Sequence, residues 1–366
     1  MFRFENDFFI YFCRTINKAN KEQSDMKARI TPKAWLLGVL LVAATSCNLT
    51  ESLNPNGKPK STGGLYEMII SCGTPIWNTP VGDTLKSIYG TACDYLNQYE
   101  PVMDAMRIVP TNLRNILAKH RNILTVEVDS TLTEATSTAI RDYWASPQLI
   151  VQLKAPSNAA LLEYINNNRQ PLIDIFEKEE RDRAVAGNKK YRQAGLGSEI
   201  KEMFGINIDL PNGYRKRSTV GNDFMWVSYE YPLASQGFAI YTYPYEGRED
   251  FLMESMLARR NEFMKRIPGP SDGSYMTTQD MFPPEVKYMT INGREWAEMR
   301  SFWDIENDFM GGPAVTYSTR DVMNNRIVVI DCYVYHPDGD KRNYIRGLEA
   351  IVHSIRLEED SAVIAD

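Results

Sequence analysis

Apolar and polar positions follow two different rhythms along this chain, and the change of rhythm divides it. In the first part the apolar residues cluster in short unbroken runs. Leu65 to Cys72, Asn122 to Val128 (NILTVEV) and Gln148 to Lys154 (QLIVQLK) read as strands. Near-continuous runs of this kind belong to strands covered on both faces. Val102 to Val109 alternates like a further strand, with Val102, Met106 and Ile108 as its apolar positions. Helical spacing lies between these runs. Pro80 to Tyr89 puts Val81, Leu85 and Ile88 on one face. Thr111 is placed to cap a predicted helix running to Lys119, and Ser157 to cap another toward Asn167. Pro171 suits the first turn of the next helix, whose charged continuation through Glu177 to Arg183 reads as a solvated face. Gly195 and Gly197 then punctuate the chain before a short helix ending at Phe204.

Beyond this point the rhythm turns to hairpins. Phe224 to Tyr231, Gly237 to Tyr243, Val286 to Ile291, Arg294 to Trp303, Ala314 to Arg320 and Arg326 to Tyr335 read as strands. Asn292-Gly293 is a strong hairpin signal, because a two-residue type I′ turn needs positive φ at both positions. Asn324-Asn325 takes the same role less directly. A helix over Asp250 to Ile267 interrupts the strands, and Tyr344, Leu348, Ile351, Val352 and Ile355 form the apolar stripe of a closing helix. The predicted class is α+β, with an N-terminal mixed α/β part (65–204) followed by an antiparallel sheet with packed helices (205–357). A disordered tail (358–366) completes the expected layout.

The segment ahead of the first strand changes the picture most. Lys27, Arg29 and Lys33 precede an apolar run from Ala34 to Ala44, and small residues lead into Cys47. This is the layout of a secretory leader with a lipidation cysteine, and the run is too short to span a bilayer. Residues 1–46 are therefore expected to be a leader, with translation starting at Met26, since the acids Glu5, Asp7, Glu22 and Asp25 do not suit one. Cys47 is the expected site of acylation. Two or more acyl chains make anchoring firm where one does not. Residues 47–64, rich in Pro, Gly and Ser, read as a lipidated flexible tether. By analogy with enterobacterial sorting, Asn48 rather than aspartate after the cysteine favours the outer membrane. Glu51 is the one acid close behind, so no acid-rich surface-export tag is evident and the expected side is the periplasm.

Charge then removes one class of partner. The 366-residue chain carries 41 Lys+Arg against 47 Asp+Glu, a formal net charge of −6. Loss of residues 1–46 would remove seven of those bases and four of those acids, leaving a more acidic body. Nucleic-acid binding needs a basic patch to neutralise phosphates, and none is visible. Cys72, Cys93 and Cys332 lack the spacing of zinc or thioredoxin-type sites. An oxidising compartment leaves a Cys72–Cys93 disulfide open, against a buried free thiol at Cys72.

Candidate chemistry is sparse. Gly269 to Gly273 spells GxSxG around Ser271, but a helix precedes it and a strand follows, the reverse of a nucleophile elbow. Asp304, Glu306 and Asp308 alternate, so a strand would set all three on one face, with Arg294 and Arg300 as natural partners. The calcium-loop pattern fails there, since Phe309 and Val315 occupy its glycine and glutamate positions. His120, His336 and His353 share no metal-type spacing. Met310 to Pro313 reads as a turn or bulge. Tyr241, Tyr243, Tyr245, Trp296, Phe302 and Trp303 are available either to a core or to a ligand groove.

The segments VGDTL (81–85), HRNI (120–123), LPNGY (210–214), PGPSDGSYMTT (268–278), ENDFMGGP (306–313) and DKRNY (340–344) resemble those of a Bacteroidota lipoprotein family, domain of unknown function 4837 (DUF4837). The resemblance runs from about Leu65 to Ile355. It implies an envelope lipoprotein with no assigned reaction and supplies no catalytic residues. From about Ile206 the order of elements also loosely resembles PsbP-type domains, which pack helices on an antiparallel sheet and mostly serve as binding or assembly factors. Asp129-Ser130-Thr131 is similar to the short O-glycosylation pattern of that phylum and reads as an exposed turn, so Ser130 is the candidate acceptor.

The expectation is thus a membrane-anchored envelope lipoprotein acting as a non-catalytic binding or assembly factor, without metal or cofactor. Its partner would be an envelope protein or glycan. His120, Arg121, Arg300, Trp303, Asp308, Lys341 and Arg342 would form the contact surface. The alternative is an envelope hydrolase or transferase acting on glycan or lipid.

Overall fold

The computed structural model describes residues 57–358. The predicted leader, Cys47, the first part of the tether and the tail from 359 onward lie outside the described residues. Two sheets organise the rest. The first holds five strands in the order β2-β1-β3-β5-β4: β1 (Glu67–Cys72), β2 (Asp104–Ile108), β3 (Asn122–Val128), β4 (Thr136–Arg141) and β5 (Leu149–Ala155). β2, β1, β3 and β5 run parallel and β4 closes one edge antiparallel.

The near-continuous apolar runs are explained by cover on both faces. On one side α2 (Pro80–Tyr89), α3 (Asn158–Asn167) and α4 (Arg169–Lys190) pack Leu85, Ile88, Leu161, Ile165 and Phe176 against Met68, Ile70, Leu124, Val151 and Leu153. The four-residue α1 (Thr74–Trp77) precedes them. On the other side Ile69, Ile123 and Ile150 are covered by Leu113 and Leu117. Those two leucines lie in the stretch expected to be a helix from Thr111 to Lys119. It is instead a 3-10 turn (Pro110–Asn112) followed by irregular turns, because Asn115 sits at φ 54°, outside right-handed helical space. Capping at Ser157 is as expected, its hydroxyl accepting from the Ala160 N–H at 3.2 Å.

The end of the tether also differs from expectation. The Thr62 N–H donates to the Lys119 carbonyl at 2.9 Å, the Arg121 N–H to the Thr62 carbonyl at 2.8 Å, and the Ser146 N–H to the Pro59 carbonyl at 2.9 Å. These backbone bonds stitch residues 59–62 onto the loops at the foot of β3 and β5.

The second sheet is antiparallel, in the order β10-β12-β13-β14-β9-β8-β7, with β11 also on β12. Its strands are β7 (Arg215–Val220), β8 (Phe224–Glu230), β9 (Ser235–Pro244), β10 (Tyr275–Thr278), β11 (Glu285–Ile291), β12 (Arg294–Glu306), β13 (Gly311–Asp321) and β14 (Arg326–Tyr335). Asn292 and Gly293 adopt φ 55° and 83°, the positive pair that the β11–β12 hairpin requires. One face buries α5 (Ala194–Phe204) and α7 (Arg342–Val352) on Val227, Phe238, Ile240, Val328 and Ile330. The opposite face carries α6 (Met253–Met264), with Phe263 stacked on Tyr241 at 4.4 Å between ring centroids. The protein is therefore α+β. α5 was expected to close the first part, yet Leu196, Ile200 and Phe204 enter the core of the second sheet. β6 (Ile206–Asn207) and β15 (Arg356–Leu357) form a small separate pair.

Side chains tie the two sheets together. The buried Glu100 carboxylate accepts from the Lys341 N–H at 2.7 Å and the Arg342 N–H at 2.8 Å, capping the start of α7 from a distance. Arg342 reaches Asp104 at 2.7 Å, and Arg346 pairs with Glu177 on α4 and with Glu349. Burial opposes ionisation of Glu349, but Arg300 and Arg346 outweigh it and hold its carboxyl down to about 2.

One turn further on, burial and then Arg181 press His353 down to about 4, against the pull of Glu349 and Asp182. The unfolded chain takes up this proton near pH 6.5, well before the folded protein does. Stability should thus fall as pH drops from 6.5 toward 4, by at most about 1.4 kcal/mol per unit. Urea unfolding at a series of pH values checks this. His353→Asn should flatten that window and leave the Glu349 window, between about 4.5 and 2, in place.

Candidate functional site

β12 is long, and two strands share its outer edge. β11 pairs with its first half, from Ile291 opposite Arg294 to Glu285 opposite Arg300. β10 pairs with its end, from Thr278 opposite Trp303 to Tyr275 opposite Glu306. The joint falls at Ser301 and Phe302. The Gln279 N–H still reaches the Phe302 carbonyl at 3.0 Å. Pro283 and Pro284 follow, and neither has an N–H to give to a ladder. The connection therefore leaves the sheet, and the gap opens into a cleft of about 840 Å³. That size falls within the range of ligand sites.

Both parts of the chain build this cleft. Tyr95 comes from the first part, and its hydroxyl donates to the Pro283 carbonyl at 2.8 Å. The Phe302 ring lies between Tyr95 and Phe282, at centroid distances of 5.8 and 5.5 Å, so three rings form one wall. Trp303, Gly311 and Gly312 also line it. Two of the lining rings are open to solvent: Phe309 is fully exposed and Phe282 51%, and Met281, next to Phe282 in the chain, is 79% exposed. These exposed apolar side chains are grouped rather than scattered singly over the surface.

The polar lining is acidic and amide-bearing. Asp304 and Asp308 supply carboxylates, and Asn97 and Gln279 supply amides. The Ser271 hydroxyl donates to Asp308 at 2.6 Å and the Phe309 N–H donates at 2.7 Å, which together hold the Asp308 carboxyl below its usual range and keep it ionised. Among the described residues neither Asp304 nor Asp308 is ion-paired. Lys and Arg do not occur among the lining residues. The Gln279 amide oxygen accepts from the Met281 N–H at 2.9 Å, while its buried Nε2 donor meets no partner.

Gly312 is required by the wall. A Cβ there would lie 2.2 Å from the Val334 carbonyl oxygen and 3.0 Å from the Trp303 Nε1 that donates to that oxygen at 2.9 Å. Gly312→Ala is expected to cost about 1–3 kcal/mol, read by thermal unfolding, because rigid backbone must give way.

The expected contact surface is largely interior. Arg121 pairs with the buried Glu180 at 2.8 Å. Arg300 lies between Glu298 (2.7 Å) and Glu349 (2.6 Å), and Arg294 donates to the Arg320 carbonyl, so neither neutralises the 304–308 acids. Arg342 and Lys341 are 5% and 3% exposed, held by the inter-sheet bonds described above. The Lys341 ammonium donates to the Gly339 carbonyl at 2.9 Å, and burial pushes it downward. His120 is buried, with Nδ1 3.1 Å from the Asn122 carbonyl oxygen and Nε2 3.8 Å from Glu67, and desolvation lowers its proton affinity. It borders a second, smaller cleft of about 590 Å³ beside Trp77, Lys86 and Arg107, whereas Ser271 and Asp308 meet at the first. Trp303 and Asp308 are the two expected residues that line the aromatic cleft.

The other candidates separate in the same way. Tyr241, Tyr243 and Trp296 are core residues, whereas Phe302 belongs to the cleft. The acid alternation breaks at Asn307, whose φ of 64° ends the strand before Asp308. Ser271 sits in a turn after α6 and before β10, where its N–H donates to the Ser274 hydroxyl at 3.0 Å. Ser130 is exposed in the turn after β3. Cys72, Cys93 and Cys332 are free thiols, and burial raises the Cys72 thiol to about 11. Tyr95, Phe282 and Gln279 belong to no pattern that marks them as site residues, whereas Phe309 lies in the Asp308 to Gly312 loop expected to make contact. A further local signal for their cleft is Pro283-Pro284 between two strand runs.

Fold and cleft together define a two-sheet α+β protein with an aromatic, acidic cleft where its two parts meet. Residues 194–354 match the family model of domain of unknown function DUF4837, and this part of the chain is a DUF4837 domain. Residues 61–189 match a different one, domain of unknown function DUF8532. The VGDTL and HRNI segments thus fall in the second family and the later motifs in the first. No curated protein matches the chain.

Proposed function

We infer that this protein is a lipid-anchored binding or assembly factor of the cell envelope, held by acylated Cys47 at the periplasmic face of the outer membrane, and that the cleft around Phe302 receives its partner. The observation that carries this reading is the cleft itself, in which exposed aromatic rings and carboxylates without protein cations are gathered by both parts of the chain. The Ser271–Asp308 contact lies beside it in a turn with helix-then-strand order, which gives a hydrolase reading little support.

The double variant Phe282→Ala/Phe309→Ala tests it. Both side chains are more than half exposed, so Tm should stay within about 1–2 °C of the parent. Recovery of the partner from crosslinked native membranes should be lost. Unchanged recovery contradicts the reading. In the same cells Cys47→Ala should abolish palmitate labelling and release the protein from the membrane fraction; an unlabelled, cytosolic parent protein removes the envelope assignment.

A further inference from the structure

We propose that the occupant of this cleft is an extended polypeptide segment carrying arginine, whose guanidinium lies against the Tyr95–Phe302–Phe282 wall between Asp304 and Asp308. The inference rests on the reading of the cleft as the binding site and adds the chemical class of what it binds. Four features of the lining converge on it.

The rings come first. Three rings, 5.8 and 5.5 Å apart between centroids and tilted by 37° and 55° to one another, line the cleft. A planar guanidinium stacks on an aromatic face and is drawn to it electrostatically. The carboxylates come second. Asp304 and Asp308 line the same cleft without an ion-pair partner among the described residues, because Arg300 is engaged by Glu298 and Glu349. Two uncompensated acids beside aromatic faces repel phosphates, uronates and acidic peptides. An arginine fork matches carboxylate geometry.

Third, the cleft offers amide donors as well as acceptors. Asn97 is exposed at the lining and is the amide open to an occupant, while the unpartnered Gln279 Nε2 lies buried in the wall. A peptide backbone carbonyl is the acceptor such an amide takes. Fourth, Phe282 and Phe309 are exposed apolar members of the same lining as the two acids. This is the arrangement in which a desolvated arginine anchors a protein contact. A neutral glycan would also stack on the rings, but it would leave both carboxylate charges uncompensated.

The test uses the full chain in detergent and two fluorescein-labelled probes, acetyl-Gly-Arg-Leu-Arg-Gly-amide and its glutamate counterpart, followed by fluorescence polarisation. The arginine peptide should bind saturably and the glutamate peptide should not. Affinity should fall about tenfold in Asp304→Asn/Asp308→Asn. It should also fall as salt rises from about 50 to about 500 mM. A parallel titration with chitohexaose, read by tryptophan fluorescence, should give no saturation. Equal binding of both peptides, affinity unchanged in the double variant, or no binding of the arginine peptide overturns the inference. Saturation by chitohexaose alone overturns the occupant while leaving the cleft as the binding site.

Discussion

Asp331→Ala is expected to destabilise the protein by about 3–5 kcal/mol, a large share of the ~5–15 kcal/mol that holds a typical domain together. Asp331 on β14 and Arg260 on α6 are both fully buried, with Nε and Oδ2 2.8 Å apart. Burial alone raises the Asp331 carboxyl; Arg260 and the Thr316 hydroxyl, at 2.7 Å, work against it. Removing the acid strands a guanidinium in the core beneath the second sheet. Its remaining partners are the Thr278 hydroxyl at 2.6 Å and the Thr277 carbonyl at 3.1 Å, and neither carries charge. Denaturant unfolding reads the loss. Replacing the whole group by apolar residues, Arg260→Met/Asp331→Leu/Thr316→Val, should recover stability to within about 1–2 kcal/mol of the parent, because the desolvation cost then disappears with the attraction. A triple variant as unstable as the single one would show that the pair is essential in itself.

Glu180→Ala should be nearly as severe, at about 3–5 kcal/mol, and should act on the first sheet. Glu180 on α4 is 1% exposed. It takes Arg121 at 2.8 Å, Arg183 at 2.6 Å and the Asn122 amide at 2.8 Å, so one carboxylate serves two guanidinium groups at the foot of β3. The loss should appear as early hydrogen exchange in β1, β3 and β5. Arg183 keeps Glu179 at 3.5 Å, whereas Arg121 has no second carboxylate in the described residues. Adding Arg121→Met to Glu180→Ala is therefore expected to restore part of the stability. A double variant weaker than the single one would contradict this account.

Much of the fold is legible in the sequence because its signals are local. NILTVEV and QLIVQLK announce strands buried on both faces, and Asn292-Gly293 announces its hairpin, since each rests on the period of a few residues or on one backbone angle. β4 and β7 leave no such mark for the same reason. TSTAIR and RKRSTV are exposed edge strands, and with no buried face they have no apolar period to read.

The functional residues divide along another line. Arg300, Arg342 and Lys341 look like a basic contact surface in the sequence because unpaired cations are usually outside. Their partners come from distant segments: Arg300 is engaged by Glu349 on the helix packed against its own sheet, while Arg342 pairs with Asp104 and the Lys341 backbone N–H with Glu100 across the two sheets. Asp308 stands out because ENDFMGGP is an unusual local string, and Trp303 belongs to the aromatic strand end just ahead of it. Tyr95 and Phe282 meet Phe302 through tertiary folding alone, from positions nearly two hundred residues apart, so no spacing rule could join them.

The central claim is that the cleft around Phe302 is occupied in the living cell. Placing photoreactive benzoylphenylalanine at position 309, with the same probe at the exposed Val322 as control, tests it whatever the chemical nature of the occupant. The account predicts that irradiation of intact cells yields a discrete heavier adduct from position 309 and none from 322. Identical patterns from the two positions would contradict it.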